Sequence, residues 1–368
     1  MLAALRPAAF WAMGCRRLAE LTPPLCKELT MNSTVDILIT SYHQPEYLDQ
    51  CLQSVAAQSW RDFKVYVVDD SPGNPVLPVI EKWRGLGLEI DFTQNEKNLG
   101  ALRSLQDMYT RSSSEYVMWL NHDDVLYPNL LDRLVPQGLM VHPECSMSYA
   151  LYNRLENGQR LHDTGVYRPD LPTGAHDVLP CLCVSNWIIS SFAVVRRQAC
   201  DEVGGIGRHV QRHLQSSPTA GGYIDLYLFM RLATRGKAWV VNEALGDYRI
   251  HSSNNTSVVG AESRRTGESI RTYDFVFDDH DIFGAIPRYL SKANSLGRLM
   301  TDLGIIQVLL HMLQSSELGK ELRPQAKELL MAAHQALYPF IYDVAHLNRP
   351  AVFPEAHLQE LRKLIQTL

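Results

Sequence analysis

The sequence predicts an α/β fold: a Rossmann-like, doubly wound, mostly parallel sheet followed by a C-terminal helical extension. Three observations predict it. Short apolar runs alternate with helical patterns, about four strand–helix units in about 100 residues. Each run ends in a polar or acidic cluster, on the edge where open α/β sheets bind ligands. Beyond about residue 261 strand signals give way to apolar residues at three-and-four spacing, as in Leu299–Leu313 and Arg323–Leu337, with a last helix over Leu358–Leu368.

The first strand is Val35–Thr40, and Ser41-Tyr42-His43-Gln44 is a polar turn. Pro45-Glu46 opens a helix with Leu48, Leu52 and Val55 on one face. Lys64–Val68 is a second short apolar strand, ending in Asp69-Asp70-Ser71-Pro72-Gly73. A helix over Val76–Arg84 and a strand near Leu88–Phe92 follow. Asn98-Leu99-Gly100 opens a helix over Ala101–Arg111, and Tyr116–Leu120 is the next strand. Thr40-Ser41, Asp69-Asp70, Asn98 and Asp123-Asp124 therefore meet at one sheet edge.

The pair Asp123-Asp124 stands where a strand has ended and the helix after Pro128 has not begun. Adjacent carboxylate oxygens there suit Mg²⁺ or Mn²⁺ carrying a phosphorylated ligand. The other reading of the pair is a turn that caps the next helix. The chain lacks both the Gly-x-Gly-x-x-Gly turn of a dinucleotide fold and a Gly-x-x-x-x-Gly-Lys phosphate loop. Phosphate charge would then be met chiefly by a metal.

From Cys145 the pattern changes. Ser146–Leu155 and Gln159–Tyr167 read as a hairpin around Asn157-Gly158. Asn186–Val195 reads as a strand region, and Arg196–Val203 as a helix stopped by Gly204-Gly205. Residues 207–222 read as a mobile loop. Ile224–Thr234 reads as a helix with Asp225 near its start, and Ala238–Val241 and Asp247–Ile250 as two short strands, followed by His251.

The totals bound the function. With 368 residues, one large domain plus an extension is expected. The organisation is a loosely ordered N-terminal extension over 1–30, a catalytic domain over 31–260 and a helical region over 261–368. A net charge of −5 argues against a nucleic-acid partner. The seven scattered cysteines fit reduced thiols in a cytoplasmic protein. No run of about 18 apolar residues predicts a membrane span. Peripheral contact with the inner face of the cytoplasmic membrane stays open.

In order and spacing these pieces resemble glycosyltransferase family 2, enzymes of the GT-A fold, over roughly residues 34–257. Ile37-Leu38-Ile39-Thr40-Ser41-Tyr42-His43 is similar to the family's opening strand and turn, and Val67-Val68-Asp69-Asp70-Ser71 to its Val-Asp-Asp-Gly-Ser element. Asn98-Leu99-Gly100 is similar to its Asn-x-Gly step, and Leu120-Asn121-His122-Asp123-Asp124 with Pro128 to its Asp-x-Asp (DXD) segment. Ile224-Asp225 with Met230-Arg231-Leu232 is similar to its Glu-Asp helix, and Tyr248-Arg249-Ile250-His251 to its Tyr-Arg-x-His ending.

The resemblance implies an inverting, metal-dependent transfer of a sugar from a nucleotide-sugar donor, a UDP-sugar being favoured, to a hydroxyl of a glycan or glycolipid acceptor. Surface polysaccharide assembly is the implied setting. Thr40, Ser41 and Tyr42 would line the nucleoside pocket, with Asp69 or Asp70 on the base and Asn98 and Arg103 on the donor side. Asp123 would hold Mn²⁺ or Mg²⁺ with Asn121 and Asp124 nearby, His251 would approach the metal or diphosphate, and Asp225 would be the general base. Asn121 departs from the family's first aspartate, Ile224 from its glutamate, and Ser71-Pro72 from its Gly-Ser. Two alternatives follow: a catalytically degenerate sugar-nucleotide-binding or scaffold protein, and a nucleotidyltransferase, whose basic Gly-rich loop is missing after the first strand.

Overall fold

The computed structural model describes residues 35–162, 171–182, 186–207, 224–252, 254 and 282. The expected N-terminal extension, the 207–222 loop apart from residue 207 and, apart from residue 282, the C-terminal helical region lie outside the described residues.

The first half follows the expected alternation: β1 (Val35–Ser41), α1 (Pro45–Ala56), β2 (Phe63–Asp69), α2 (Leu77–Gly85), β3 (Ile90–Gln94), α3 (Ala101–Arg111) and β4 (Tyr116–Asn121). A two-residue strand, β5 (Val125–Leu126), and α4 (Leu130–Leu134) come next. The second half holds β6 (Cys145–Glu156), β7 (Gln159–Leu161), β8 (Gly174–His176), β9 (Ala193–Arg196), α5 (Arg197–Glu202), α6 (Ile224–Arg235) and β10 (Lys237–Ile250).

The strands form one mixed sheet in the order β3-β2-β1-β4-β9-β6-β10-β5, with β7 on β6 and β8 on β10. β3, β2, β1 and β4 are mutually parallel, while β9 runs antiparallel to both β4 and β6. All seven residues of β1 are buried, as a central parallel strand requires. Its side chains alternate between two cores. Leu38 joins Leu105, Met108, Val117 and Phe229 on one face. Ile37 and Ile39 join Leu48, Leu52, Leu120 and Leu131 on the other. Each such side chain contributes about 1.5–3 kcal/mol on burial.

The far end of the sheet is locked by charge. Asp36 is buried, accepts hydrogen bonds from the backbone of Ser113 (2.9 Å) and Ser114 (2.7 Å), and pairs with Arg197 at 3.1 Å. β1, the α3–β4 connection and α5 are thereby tied together away from the ligand edge.

Several elements depart from the sequence reading. β3 sits two residues later than expected, because Gly87 turns the chain at φ +92° and Leu88 packs before the strand starts. The hairpin at Asn157-Gly158 forms with both residues at positive φ, but its second strand is only Gln159–Leu161. Asn186–Val195 contains a 3₁₀ turn, Ser190–Phe192, before the four-residue β9. The two strands expected over 238–250 are one strand, β10, whose pairing with β6 shifts register at three places.

Candidate active site

Register fixes the ligand edge. Ser41 lies opposite Asp69, Thr40 opposite Asn121, and Asp69 opposite Gln94. The polar ends of four parallel strands therefore stand side by side.

At the corner after β4 the chain turns and pairs back through β5, with Leu126 opposite Gly246 and Val125 opposite Asp247 of β10. Gly246 is needed there, since a methyl group at that position would collide with the Phe192 ring. The close approach sets Asp123 and Asp124 against the end of β10. The carboxylate of Asp123 lies 2.9 Å from Nε2 of His251. Burial works against its charge, but the hydrogen bond with His251 and the nearby His122 and His251 outweigh it and hold the carboxyl below its usual range.

Asp124 departs from the expected role of metal ligand. Its side chain is fully buried, and its two oxygens accept from Ser191 Oγ (2.5 Å), Asn121 Nδ2 (3.2 Å) and the Arg249 backbone N–H (2.9 Å). Burial, and secondarily the charge of Asp123, pushes this carboxyl up to about 8. Asp124 holds the corner in shape, and Asn121 spends its amide on Asp124. Arg249 completes the brace: its Nε donates to the Asp123 carbonyl (2.7 Å), its terminal nitrogen to Gln50 (2.7 Å), and its guanidinium lies over Tyr47.

Asp123 and His251 fit a divalent ion as a hard oxygen beside an imidazole nitrogen, converging from two strand ends. Among the described residues no group of three or more His, Cys, Asp and Glu is arranged as a metal cage. Two protein ligands would leave room for further oxygen ligands, as Mg²⁺ and Mn²⁺ sites commonly have.

On the nucleoside side Tyr42 is 45% exposed and packs against His43. His43 and Gln44 both adopt positive φ, which bends the loop so that His43 N–H donates to Ser71 Oγ. Ser71 in turn donates to Asp69 Oδ1 at 2.7 Å, while the other Asp69 oxygen is buried with no partner. Asp70 is spent on Asn95 Nδ2 (2.6 Å) and Ser104 Oγ (3.0 Å), fastening α3 to the end of β2. Of the two aspartates, Asp69 is the one with an oxygen to offer. Thr40 and Ser41 are buried at the end of β1. Asn98 accepts from Gly100 N–H at 2.8 Å where the chain enters α3, and Arg103 is exposed on the first turn of α3.

Asp225 lies in the first turn of α6. Its Oδ1 accepts from Asn186 Nδ2 (3.2 Å) and from Leu226 N–H (2.8 Å). It lines a cavity of about 20 Å³ with Trp119, Ser190 and apolar side chains of β4, β9 and α6. Burial pushes its carboxyl up to about 6. The 3₁₀ turn joins the two acidic centres: Ser190 lines the Asp225 cavity, and Ser191 bonds Asp124 and the Asn121 N–H. Ser191 and Asn186 escape the sequence reading. Their signal is weak: a pair of serines and an asparagine in an otherwise apolar run.

Tyr127 is tied into a polar network with Asp247 (2.8 Å), Asn153 (2.9 Å) and the Arg160 guanidinium over its ring. Trp187 is buried in the core, and Trp239 is stacked on His142.

Residues 36–150 match the family model for glycosyl transferase family 2. A glycosyltransferase of Haemophilus influenzae is 21% identical over 258 residues, 66% of this chain and 73% of that protein. The putative teichuronic acid biosynthesis glycosyltransferase TuaG of Bacillus subtilis is 22% identical over 233 residues, 63% of this chain and 85% of that protein. A glycosyltransferase of Methanocaldococcus jannaschii is 29% identical over 101 residues, and the chain spans only 35% of its length. Among solved structures, S. aureus TarS 1-349 in complex with UDP-GlcNAc superposes with a TM-score of 0.49 at 14% identity, covering 88% of this chain and 95% of that one. The mixed, mostly parallel sheet matches the GT-A fold. The likeness to glycosyltransferase family 2 lies in residues 36–150.

Proposed function

We propose that this chain transfers a sugar from a nucleotide-sugar donor, UDP-linked, to a hydroxyl of a glycan or glycolipid acceptor, with inversion at the anomeric carbon. Tyr42 and the end of β1 would receive the nucleoside, and the unpaired Asp69 oxygen would accept an N–H of the base. Asp123 and His251 would hold Mn²⁺ or Mg²⁺, which when bound stabilises the charge growing on the departing diphosphate. Asp225 would take the acceptor proton as the acceptor oxygen bonds to the anomeric carbon and the bond to the diphosphate breaks. One displacement with one base inverts, so no covalent nucleophile is needed.

The observation that carries this reading is a contrast between two carboxylates of one site. Asp123 is held charged beside His251, while Asp225 is pushed up to about 6 in an apolar setting. The first suits an ion-holding ligand and the second a base that gains and loses a proton near neutral pH. Surface polysaccharide assembly is the proposed setting, a reading supported by the likeness to the putative teichuronic acid biosynthesis glycosyltransferase TuaG. Work at the cytoplasmic side, with peripheral membrane contact, belongs to the same proposal. Among the described residues no helix is long and apolar enough to cross a membrane.

The test is Asp225→Asn, with UDP binding measured by calorimetry and sugar release measured in parallel. The expected result is intact UDP binding with turnover reduced by about 10²–10⁴-fold. Full turnover would remove Asp225 from the role of base. UDP binding without turnover in the unsubstituted protein would favour the degenerate binding-protein reading.

A further inference from the structure

The corner that carries His251 is closed by a side chain of α1. The turn before that helix enters through Gln44 in the left-handed region, and Pro45 follows at the first helical position. Tyr47 then donates its backbone N–H to the Gln44 carbonyl at 3.0 Å, so its side chain leaves a fixed first turn. Tyr47 and Gln50 lie three residues apart and are therefore neighbours on one face of α1. The Arg249 guanidinium meets both. Its carbon lies 4.4 Å from the centre of the Tyr47 ring, and its terminal nitrogen donates to Gln50 Oε1 at 2.7 Å. The imidazole of His251 meets the same tyrosine ring, with centres 5.2 Å apart and planes inclined at 46°.

These contacts converge on Asp123. Arg249 Nε donates to its carbonyl at 2.7 Å, and His251 Nε2 lies 2.9 Å from its carboxylate. A single hydrogen bond fixes one imidazole nitrogen but leaves the ring to swing about it. An aromatic ring packed against the imidazole restricts that swing, and a cation over the aromatic ring holds it in turn. Tyr47 belongs to neither hydrophobic core and is only half-buried, so filling the interior does not account for its place.

We propose that Tyr47 is a positioning residue of the metal corner: its ring, held by Arg249, sets the plane of the His251 imidazole beside Asp123. The proposal rests on Asp123 and His251 being the ligands of the ion. A ligand oriented beforehand loses less rotamer freedom when the ion arrives. Contacts that orient a ligating histidine commonly carry about 10–100-fold in metal affinity.

The test follows Mn²⁺ binding by electron paramagnetic resonance, with UDP present and at constant pH. Tyr47→Leu keeps an apolar side chain but removes the ring, and should weaken Mn²⁺ binding about tenfold. Tyr47→Phe keeps the ring and should stay within about twofold of the unsubstituted protein. In a His251→Ala background, Tyr47→Leu should alter Mn²⁺ affinity by less than about twofold, because the two residues act as one unit. Equal weakening with and without His251 would give Tyr47 a general structural role and overturn the proposal, as would no effect of Tyr47→Leu. NMR of the unsubstituted protein loaded with Mg²⁺ and UDP decides the same point without a variant. Cross-relaxation between the ring protons of Tyr47 and His251 is expected there, and its absence overturns the positioning. No loss of affinity in His251→Ala alone would instead sink the metal-site reading, and this proposal with it.

Discussion

Nε2 of His251 lies 2.9 Å from the Asp123 carboxylate, bringing the end of β10 against the turn that follows β4. The backbone N–H of Arg249 and the side chain of Ser191 grip the neighbouring Asp124. The two adjacent aspartates thus divide the work, one facing His251 and one buried as a fastening.

That division predicts different losses. His251→Ala should weaken Mn²⁺ binding, followed by electron paramagnetic resonance, by about 10–100-fold. Asp124→Ala should instead destabilise the protein, since it strands the Ser191, Asn121 and Arg249 donors; about 1–3 kcal/mol is expected, measured by urea titration. Equal loss of Mn²⁺ affinity with unchanged stability in Asp124→Ala would restore that residue as a ligand.

The pair at the end of β2 separates in the same way. Asp69 keeps a buried oxygen unpaired, whereas Asp70 is bonded to Asn95 and Ser104. Asp69→Asn should therefore weaken UDP binding at least about tenfold, with little change in melting temperature, by replacing an acceptor with a group that can also donate. Asp70→Ala should lower the melting temperature instead. The reverse pattern, read by calorimetry and thermal melts, would assign the base contact to Asp70.

Much of the fold is legible in the sequence. The strands β1, β2 and β4 fall where short apolar runs predict them, because a parallel strand buried on both faces is mostly apolar along its middle. The continuity of β10 is not legible: Asn242-Glu243 and Gly246-Asp247 look like breaks, but the register shifts against β6 absorb them. Nor is the turn at Ser190-Ser191, whose placement depends on Asp124, a residue far away in the chain. The site is legible as a set of acidic strand ends. Which aspartate of each pair is spent internally depends on long-range partners such as Arg249 and Ser104, and local sequence does not encode that.

Asp225 and pH are linked in a direction that can be worked out. Burial raises its carboxyl from the ordinary aspartate range to about 6 in the folded chain. A raised acid binds its proton more tightly when folded, so its contribution favours the native state below the unfolded value and is lost as pH rises through about 6. Ligand-free protein should lose part of its stability between about pH 4 and pH 6, and Asp225→Asn should remove that part of the dependence. Turnover should show the opposite trend, rising through about pH 6 as the base ionises.

The lock at the far end of the sheet predicts a loss of stability unconnected with the site. Arg197→Met leaves Asp36 buried without its cation, and about 3–5 kcal/mol of destabilisation is expected by chemical denaturation. The affinity for UDP should be unchanged in the fraction that is folded.

The stereochemistry of transfer tests the proposed mechanism most directly. Proton NMR of the sugar first released from UDP-GlcNAc, whose sugar is α-linked, resolves the two anomers before they equilibrate. A single displacement assisted by Asp225 predicts the β anomer at early times. Early release of the α anomer would mean a retained configuration and would contradict the one-base, one-step account.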